Sequence, residues 1–146
     1  MRQLKLIENG LGNGQIVLAQ KWLRQATQDN QACGLMLKHK IPTAIICFHA
    51  QQTAEKSLKA MIIFYAKKFE KIHDLWPIAR TLVGVAPELK RLQAKLDNLS
   101  TYYIESRYPD DFQRNIPITE ARAAYQVARA VYGIAQRKIN SRVKKT

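Results

Sequence analysis

The chain has 146 residues, the size of a single domain, and 47% of them are hydrophobic. Six glycines and five prolines are too few for a turn-dense all-β sandwich or barrel, and the hydrophobic fraction excludes a wholly disordered chain. The formal net charge of +13 favours an anionic partner such as nucleic acid, a nucleotide or an acidic protein, without identifying it.

The two cysteines and the hydrophobic runs bear on the cellular compartment. Cys33 and Cys47 cannot form a disulfide framework or a four-ligand zinc site, and their apolar neighbours favour small buried side chains. Apolar runs such as residues 44–48 are far shorter than the ~20 residues of a membrane span, and residues 1–20 contain no secretory segment. The sequence therefore predicts a cytoplasmic protein with reduced thiols that does not enter a membrane.

Hydrophobic side chains recur every three to four residues along most of the chain, which is the spacing of helices. A glycine- and asparagine-rich lead-in at 1–14 precedes a first helix predicted at about 15–38. Pro42 suits the start of a second helix, predicted at about 43–68. At the other end of the chain, residues 141–146 are predicted to form a basic tail.

Three more helices are predicted after the second. A short one follows Asp74 and ends near Val83, and a seam of leucines predicts a fourth helix over 88–106. Thr119 is a plausible N-cap for the last helix, which carries alanines and tyrosines on one face. No alternating strand pattern is present, so the predicted fold class is all-α. We expect an up-and-down antiparallel bundle of four long helices and one short helix over residues 15–140.

The second helix carries polar side chains inside its apolar face. On a helical wheel, Gln51 and Glu55 fall among apolar residues such as Phe48 and Leu58. Burying a lone carboxylate is costly, so Glu55 needs a partner or access to water, and Lys59 one turn later is the local candidate. The pattern indicates either a structural ion pair that fixes the helix register or a polar site in a groove of the bundle.

Two further polar groups adjoin this face. One is a strip of hydrogen-bond donors beside Glu55, formed by His49, Gln52, Lys56 and Lys59. The other is the pair His73-Asp74. Asp74 can complement the N-terminus of the third helix, and His73 can orient against Glu55 or Lys59 if the second helix ends nearby. Neither group has the ligand spacing of a metal site, so no metal and no cofactor is predicted.

Tyrosines, an arginine and carboxylates gather where the fourth helix ends, in residues 102–112. Arg107 can bind the last carbonyls of that helix, which is a structural explanation. An arginine beside Tyr103 and Tyr108 equally suits a site that binds phosphate with a guanidinium and stacks a base on a ring. Residues 121–146 add seven lysines or arginines and no acid, which is the pattern expected where a polyanion binds.

Three sequence blocks together resemble the HEPN domain family. They are AIICFHAQQTAEKSLKA at 44–60, HDL at 73–75 and SRYPD at 106–110, in the order of that family, and the likeness covers roughly residues 15–140. The resemblance implies an up-and-down helical bundle that forms homodimers and has a nucleotide- or RNA-associated role. It also implies a partnership with a minimal nucleotidyltransferase, as in prokaryotic toxin–antitoxin pairs.

Polar pattern and resemblance together give the candidate nucleotide- or RNA-binding residues. They are Arg107, Lys59 and Lys56 for phosphate, Tyr103 or Tyr108 for stacking a base, Glu55, His73 and Asp74 for organising the site, and Gln52 as a further binding residue. Ribonucleases of the family carry an arginine followed four to six residues later by a histidine. Arg107 matches the arginine, but no histidine follows it, so the expected general acid or base is missing. The remaining catalytic candidates are Arg107, His73 and Asp110, with Asp111 as a further carboxylate.

Three functional hypotheses follow. The leading one is a HEPN-like nucleotide- or RNA-binding homodimer that works with a minimal nucleotidyltransferase and lacks efficient catalysis. The second is a metal-independent endoribonuclease toxin that uses Arg107 with His73 or a neighbouring carboxylate. The third is a structural interaction module whose positive charge meets an acidic protein.

Overall fold

The computed structural model describes residues 12–68, 71–105 and 115–144, and within these ranges the chain forms helices and no strand. The elements, in chain order, are α1 (Asn13–Lys38), α2 (Thr43–Phe64), α3 (Leu75–Arg80), a 3-10 helix (Pro87–Leu92), α4 (Gln93–Ser100), α5 (Tyr102–Glu105) and α6 (Ile118–Lys144). The all-α helical bundle predicted from the sequence is therefore confirmed.

Helix α2 is the centre of the bundle. It packs against α1 and α6 along its length and also contacts α3, α4 and α5. Because helices surround it, 13 of its 22 residues are buried, including polar ones. Two of these satisfy their hydroxyls within the helix: Thr53 donates to the carbonyl of His49, and Ser57 donates to the carbonyl of Thr53.

The first two helices run antiparallel, joined by a four-residue turn that ends at Pro42. Cys33, near the end of α1, donates to the carbonyl of Ile46, near the start of α2. Trp22, eleven residues earlier on α1, lies beside Lys59, thirteen residues further along α2. The polar residues at the middle of α2 are thereby placed against the middle of α1.

Helix α2 ends at Phe64, four residues before the predicted end. The amide of Lys67 donates to the carbonyl of Ile62, and that of Ala66 donates to the carbonyl of Ile63, a pair of bonds known as a Schellman motif. Ala66 adopts a left-handed φ of 52°, the conformation that this ending requires. The sequence did not predict the ending because no glycine marks it.

Ala66→Gly is expected to raise the free energy of unfolding by about 0.5–1 kcal/mol, because glycine adopts the left-handed conformation without the steric cost that alanine has there. The gain is partly offset by the greater entropy of glycine in the unfolded chain. Urea unfolding measures the change, with Ala60→Gly inside α2 as a control that should lose stability. A loss of stability in Ala66→Gly would contradict this explanation of the helix end.

The segment predicted as one helix over 88–106 is helical but divided into three pieces. Pro87 starts a 3-10 helix, which passes into α4 at Gln93, and Thr101 separates α4 from α5. Thr101 retains right-handed helical angles (φ −61°, ψ −30°), so the chain keeps its helical sense through this break. A regular leucine spacing does not distinguish 3-10 from α geometry over such short stretches.

Other helix boundaries also differ from the prediction, and α6 continues to Lys144, into the segment predicted as a basic tail over 141–146. Helix α3 ends at Arg80, and hydrogen-bonded turns continue the chain to Ala86. Helix α6 begins at Ile118, so Thr119 is its second residue and not its N-cap. The carbonyl of Pro117 accepts the first amides of the helix, from Glu120 and Ala121. None of the helices in the described ranges combines the length and apolar character that a membrane span needs.

Neither cysteine forms a disulfide, and both are fully buried, as the sequence predicted. Burial raises the pKa of the Cys33 thiol to about 12, with Asp29 and Cys47 adding to the effect. The thiolate is the reactive form, so we expect neither thiol to react rapidly with a thiol reagent in the folded protein at mildly alkaline pH. In urea both should react. Rapid labelling of either cysteine before unfolding would contradict the buried placement.

Candidate functional site

The carboxylate of Glu55 lies at the centre of a buried polar cluster. Glu55 is only 3% exposed to solvent. Its Oε1 atom lies 2.7 Å from Nδ1 of His73 and 3.5 Å from Nζ of Lys59, and its Oε2 accepts a hydrogen bond of 3.1 Å from Nε2 of Gln52. We refer to Gln51, Gln52, Glu55, Lys59 and His73 as the Glu55 cluster. The pairing of Glu55 with Lys59 expected from the sequence is confirmed, and of the two partners that the sequence left open for His73, the structure shows Glu55.

Three other parts of the chain position this cluster on α2. The ring of Tyr103 in α5 stacks on the imidazole of His73, with centroids 3.9 Å apart and planes 13° apart. The ring of Trp22 in α1 lies 5.3 Å from the ammonium of Lys59. His73 itself comes from the connection before α3. The cluster therefore lies where α1, α2, α5 and this connection meet.

Gln51 contributes a buried amide that is only half satisfied. Its Oε1 accepts a hydrogen bond of 2.7 Å from Gln52, whereas its Nε2 has no hydrogen-bond partner in the described part of the chain. The residue is fully buried, and an unpaired buried donor costs about 1–3 kcal/mol. An acceptor group that reached this amide would recover that free energy.

The contact between Glu55 and His73 fixes the imidazole. A carboxylate accepts, so Nδ1 of His73 carries the proton and donates to Glu55, which in the neutral ring leaves Nε2 as an acceptor. The side chain of His73 is 47% exposed, whereas that of Glu55 is 3% exposed. A buried carboxylate thus orients an accessible histidine, an arrangement that can bind an anion when the ring is protonated or accept a proton when it is neutral.

A second, neighbouring cluster is built on Asp29 of α1. Its two carboxylate oxygens lie 2.8 Å from Nδ1 of His49 and 2.7 Å from Nζ of Lys56. The structure therefore places the ammonium of Lys56 on Asp29 and not with the Glu55 cluster. Asp29 was missed in the sequence, although it interrupts the apolar stripe formed by Ala26 and Cys33 and could have been noticed there.

Of the candidate residues within the described ranges, five come together: Gln52, Glu55, Lys59, His73 and Tyr103. Asp74 occupies the N-cap position of α3, but its exposed side chain makes no capping hydrogen bond. Arg107, Tyr108, Asp110 and Asp111 lie outside the described residues.

The described residues contain no group of three histidine, cysteine or acidic side chains that could hold a metal ion. A groove of about 550 Å³ lies elsewhere, between α4–α5 and the first half of α6, and its walls include Leu92, Leu99, Ala124 and Val127. No residue of the Glu55 cluster lines it. The candidate site is the Glu55 cluster, because a buried carboxylate there lies within hydrogen-bond or ion-pair distance of an exposed histidine and a lysine.

The chain matches the family model described as HEPN domain over residues 19–139. No curated protein and no solved structure matches it significantly. The matched range extends from α1 into α6 and includes both carboxylate clusters.

Proposed function

The chain belongs to the HEPN domain family, and from that premise we propose that it binds nucleotide or RNA as the partner of a minimal nucleotidyltransferase. In this proposal the two proteins form a toxin–antitoxin-like pair, and the chain itself is not an efficient catalyst. The Glu55 cluster is the observation that carries the proposal.

The cluster offers the groups that a nucleotide needs. His73 and Lys59 can supply positive charge for phosphate, Tyr103 supplies an aromatic ring next to them, and the unpaired amide of Gln51 is a buried donor. A purely structural ion pair explains Glu55 and Lys59, but it does not require an exposed histidine stacked on a tyrosine. All three histidines of the sequence precede Arg107, so the sequence lacks the histidine that follows the arginine in the ribonuclease motif of the family.

Binding is tested by titrating the full chain with ATP and, separately, with a short single-stranded RNA. We expect a rise in melting temperature that grows with ligand concentration, because a ligand that binds only the folded state stabilises it. Glu55→Gln, which keeps the size of the side chain but removes its charge, should reduce the shift. If neither ligand shifts the melting temperature or binds in a direct titration, the proposal is wrong.

The oriented histidine also supports a second candidate function, the metal-independent endoribonuclease toxin. Nε2 of His73 could remove the proton from a ribose 2′-hydroxyl while Glu55 stabilises the imidazolium that forms. Incubation of RNA with the protein in EDTA tests this. Cleavage that disappears in His73→Gln, with toxicity on expression that a co-expressed partner relieves, would favour the toxin over the non-catalytic protein.

We further propose that the protein is a homodimer. Large aliphatic side chains remain exposed on this single chain, among them Leu35 (60%), Ile45 (45%) and Ile118 (41%). Such side chains are suited to an interface between two copies. Light scattering should give about twice the 16.8 kDa of one chain, and Leu35→Glu should lower the mass. A mass near that of one chain at micromolar concentration would contradict the prediction.

A further inference from the structure

A second groove, of about 470 Å³, lies between the 3-10 helix and α4 on one side and the second half of α6 on the other. Four cationic side chains line it: Arg91, Lys95, Arg129 and Arg137. Its floor is formed by small or aliphatic residues such as Ala130, Gly133 and Ile134. We refer to it as the basic groove. None of its lining residues belongs to the Glu55 cluster.

The described part of the chain neutralises only part of the positive charge of the basic groove. Glu88 is the only carboxylate among the lining residues that the structure describes, and Lys138 already pairs with it at 3.4 Å. Partial burial raises the pKa of Glu88, but its backbone hydrogen bond, Lys138 and Arg137 outweigh this and lower it. The four exposed cations of the groove form no ion pair within the described ranges. We therefore expect them to bind an anion from another molecule.

The two arginines of α6 are positioned by their neighbours. The guanidinium of Arg129 lies over the ring of Tyr125, 5.3 Å from its centroid. A side chain at Gly133 would meet Nη1 of Arg137 at 3.4 Å, so the guanidinium of Arg137 lies against the helix beside this glycine. Arg137 follows Arg129 by eight residues, which corresponds to about 12 Å along the helix axis. This distance is longer than the spacing between successive phosphates of one nucleic-acid strand.

We propose that the basic groove binds the sugar–phosphate backbone of RNA at a site separate from the Glu55 cluster. This inference rests on the proposed function, because it assigns the electrostatic part of RNA binding to a different face of the molecule. None of the lining residues that the structure describes is aromatic, so among them there is no ring on which a base could stack, and the groove suits phosphates rather than sequence reading. The same described residues also offer no aromatic anchor of the kind typical of the centre of a protein interface.

Substitution at Gly133 gives the sharpest test. Gly133→Glu introduces a carboxylate one turn from both Arg129 and Arg137, and Gly133→Gln introduces a neutral side chain of the same size. The added Cβ meets only the flexible end of Arg137, and both residues form helices more readily than glycine, so neither variant should lose stability. We expect Gly133→Glu to bind a fluorescein-labelled single-stranded RNA at least about tenfold more weakly than Gly133→Gln.

Salt dependence gives a second, independent measurement. In the double variant Arg129→Gln/Arg137→Gln, the plot of log affinity against log salt should become less steep by about 1.4. Each of the two lost phosphate contacts contributes about 0.7 to the steepness on a single strand. The matched control is Lys21→Gln/Arg24→Gln, which removes two exposed cations from α1 and should leave affinity and slope nearly unchanged. Fluorescence anisotropy between about 50 and 200 mM salt measures both quantities.

The outcomes separate this inference from the proposed function. Normal RNA binding by Gly133→Glu and by the double arginine variant would contradict the inference that the basic groove binds RNA, while the proposed RNA binding of the protein would stand. A wild-type protein that binds ATP but no RNA would also overturn it and would leave the nucleotide function. Binding of polyglutamate but not of RNA would assign the groove to an acidic protein and would equally overturn the inference.

Discussion

Glu55→Leu is expected to lower the free energy of unfolding by about 3 kcal/mol. The substitution removes the carboxylate that lies 3.5 Å from the ammonium of Lys59, whose side chain is only 13% exposed, and it removes one of the two acceptors of Gln52. Breaking a buried ion pair by removing one partner costs about 3–5 kcal/mol, and the remaining exposure of Lys59 argues for the lower end. Urea unfolding measures the change as a shift in midpoint at constant slope.

Two comparison variants separate the cause. Asp97→Asn removes an exposed carboxylate from α4 and should change stability by no more than about 0.5 kcal/mol. Glu55→Leu/Lys59→Met removes both charges of the pair and should recover part of the loss, since an apolar pair is often as stable as the ion pair it replaces. If Glu55→Leu is as stable as the wild type, the cluster does not hold Glu55 as a charge.

The polar pattern of α2 was sufficient to predict the Glu55–Lys59 contact, because both residues lie on one helix and helical geometry alone brings them together. For His73 it left two partners open, Glu55 or Lys59, on condition that α2 ended nearby, and only the folded chain places His73 on Glu55. The pattern could not show that the neighbouring lysines, Lys56 and Lys59, contact different carboxylates. Lys56 binds Asp29, and that choice depends on how α1 packs against α2, which periodicity does not specify.

The basic groove shows a different limit of the sequence. Arg129 and Arg137 belong to the basic segment that pattern analysis recognised, but a segment that is basic along its whole length does not show which of its cations act together. Arg91 and Lys95 come from a distant part of the chain, and the groove exists only because α4 packs beside α6. Small residues such as Gly133 carry no charge signal, although they shape the groove floor.

The two carboxylate clusters provide a matched pair of histidines for testing the candidate site. Nδ1 of His73 lies 2.7 Å from Glu55, and Nδ1 of His49 lies 2.8 Å from Asp29. Each histidine shares its carboxylate with one lysine of α2. The side chains are 47% and 33% exposed, and each imidazole also contacts one aromatic ring, Tyr103 for His73 and Phe48 for His49, so alanine substitution removes a carboxylate contact and a ring contact in each case. The two variants should therefore lose similar amounts of stability.

His73→Ala is expected to weaken ATP binding by about ten- to a hundredfold, whereas His49→Ala should weaken it by less than about threefold. A hydrogen bond to a charged group contributes about 1.5–3 kcal/mol, which corresponds to the larger change. Only His73 stacks on Tyr103 and lies within the Glu55 cluster, whereas His49 belongs to the cluster of Asp29. Calorimetric titration with ATP measures the affinities, and urea unfolding confirms that stability falls equally. Equal losses of affinity would mean that binding follows the stability of α2, and normal binding by His73→Ala would place the nucleotide site elsewhere in the molecule.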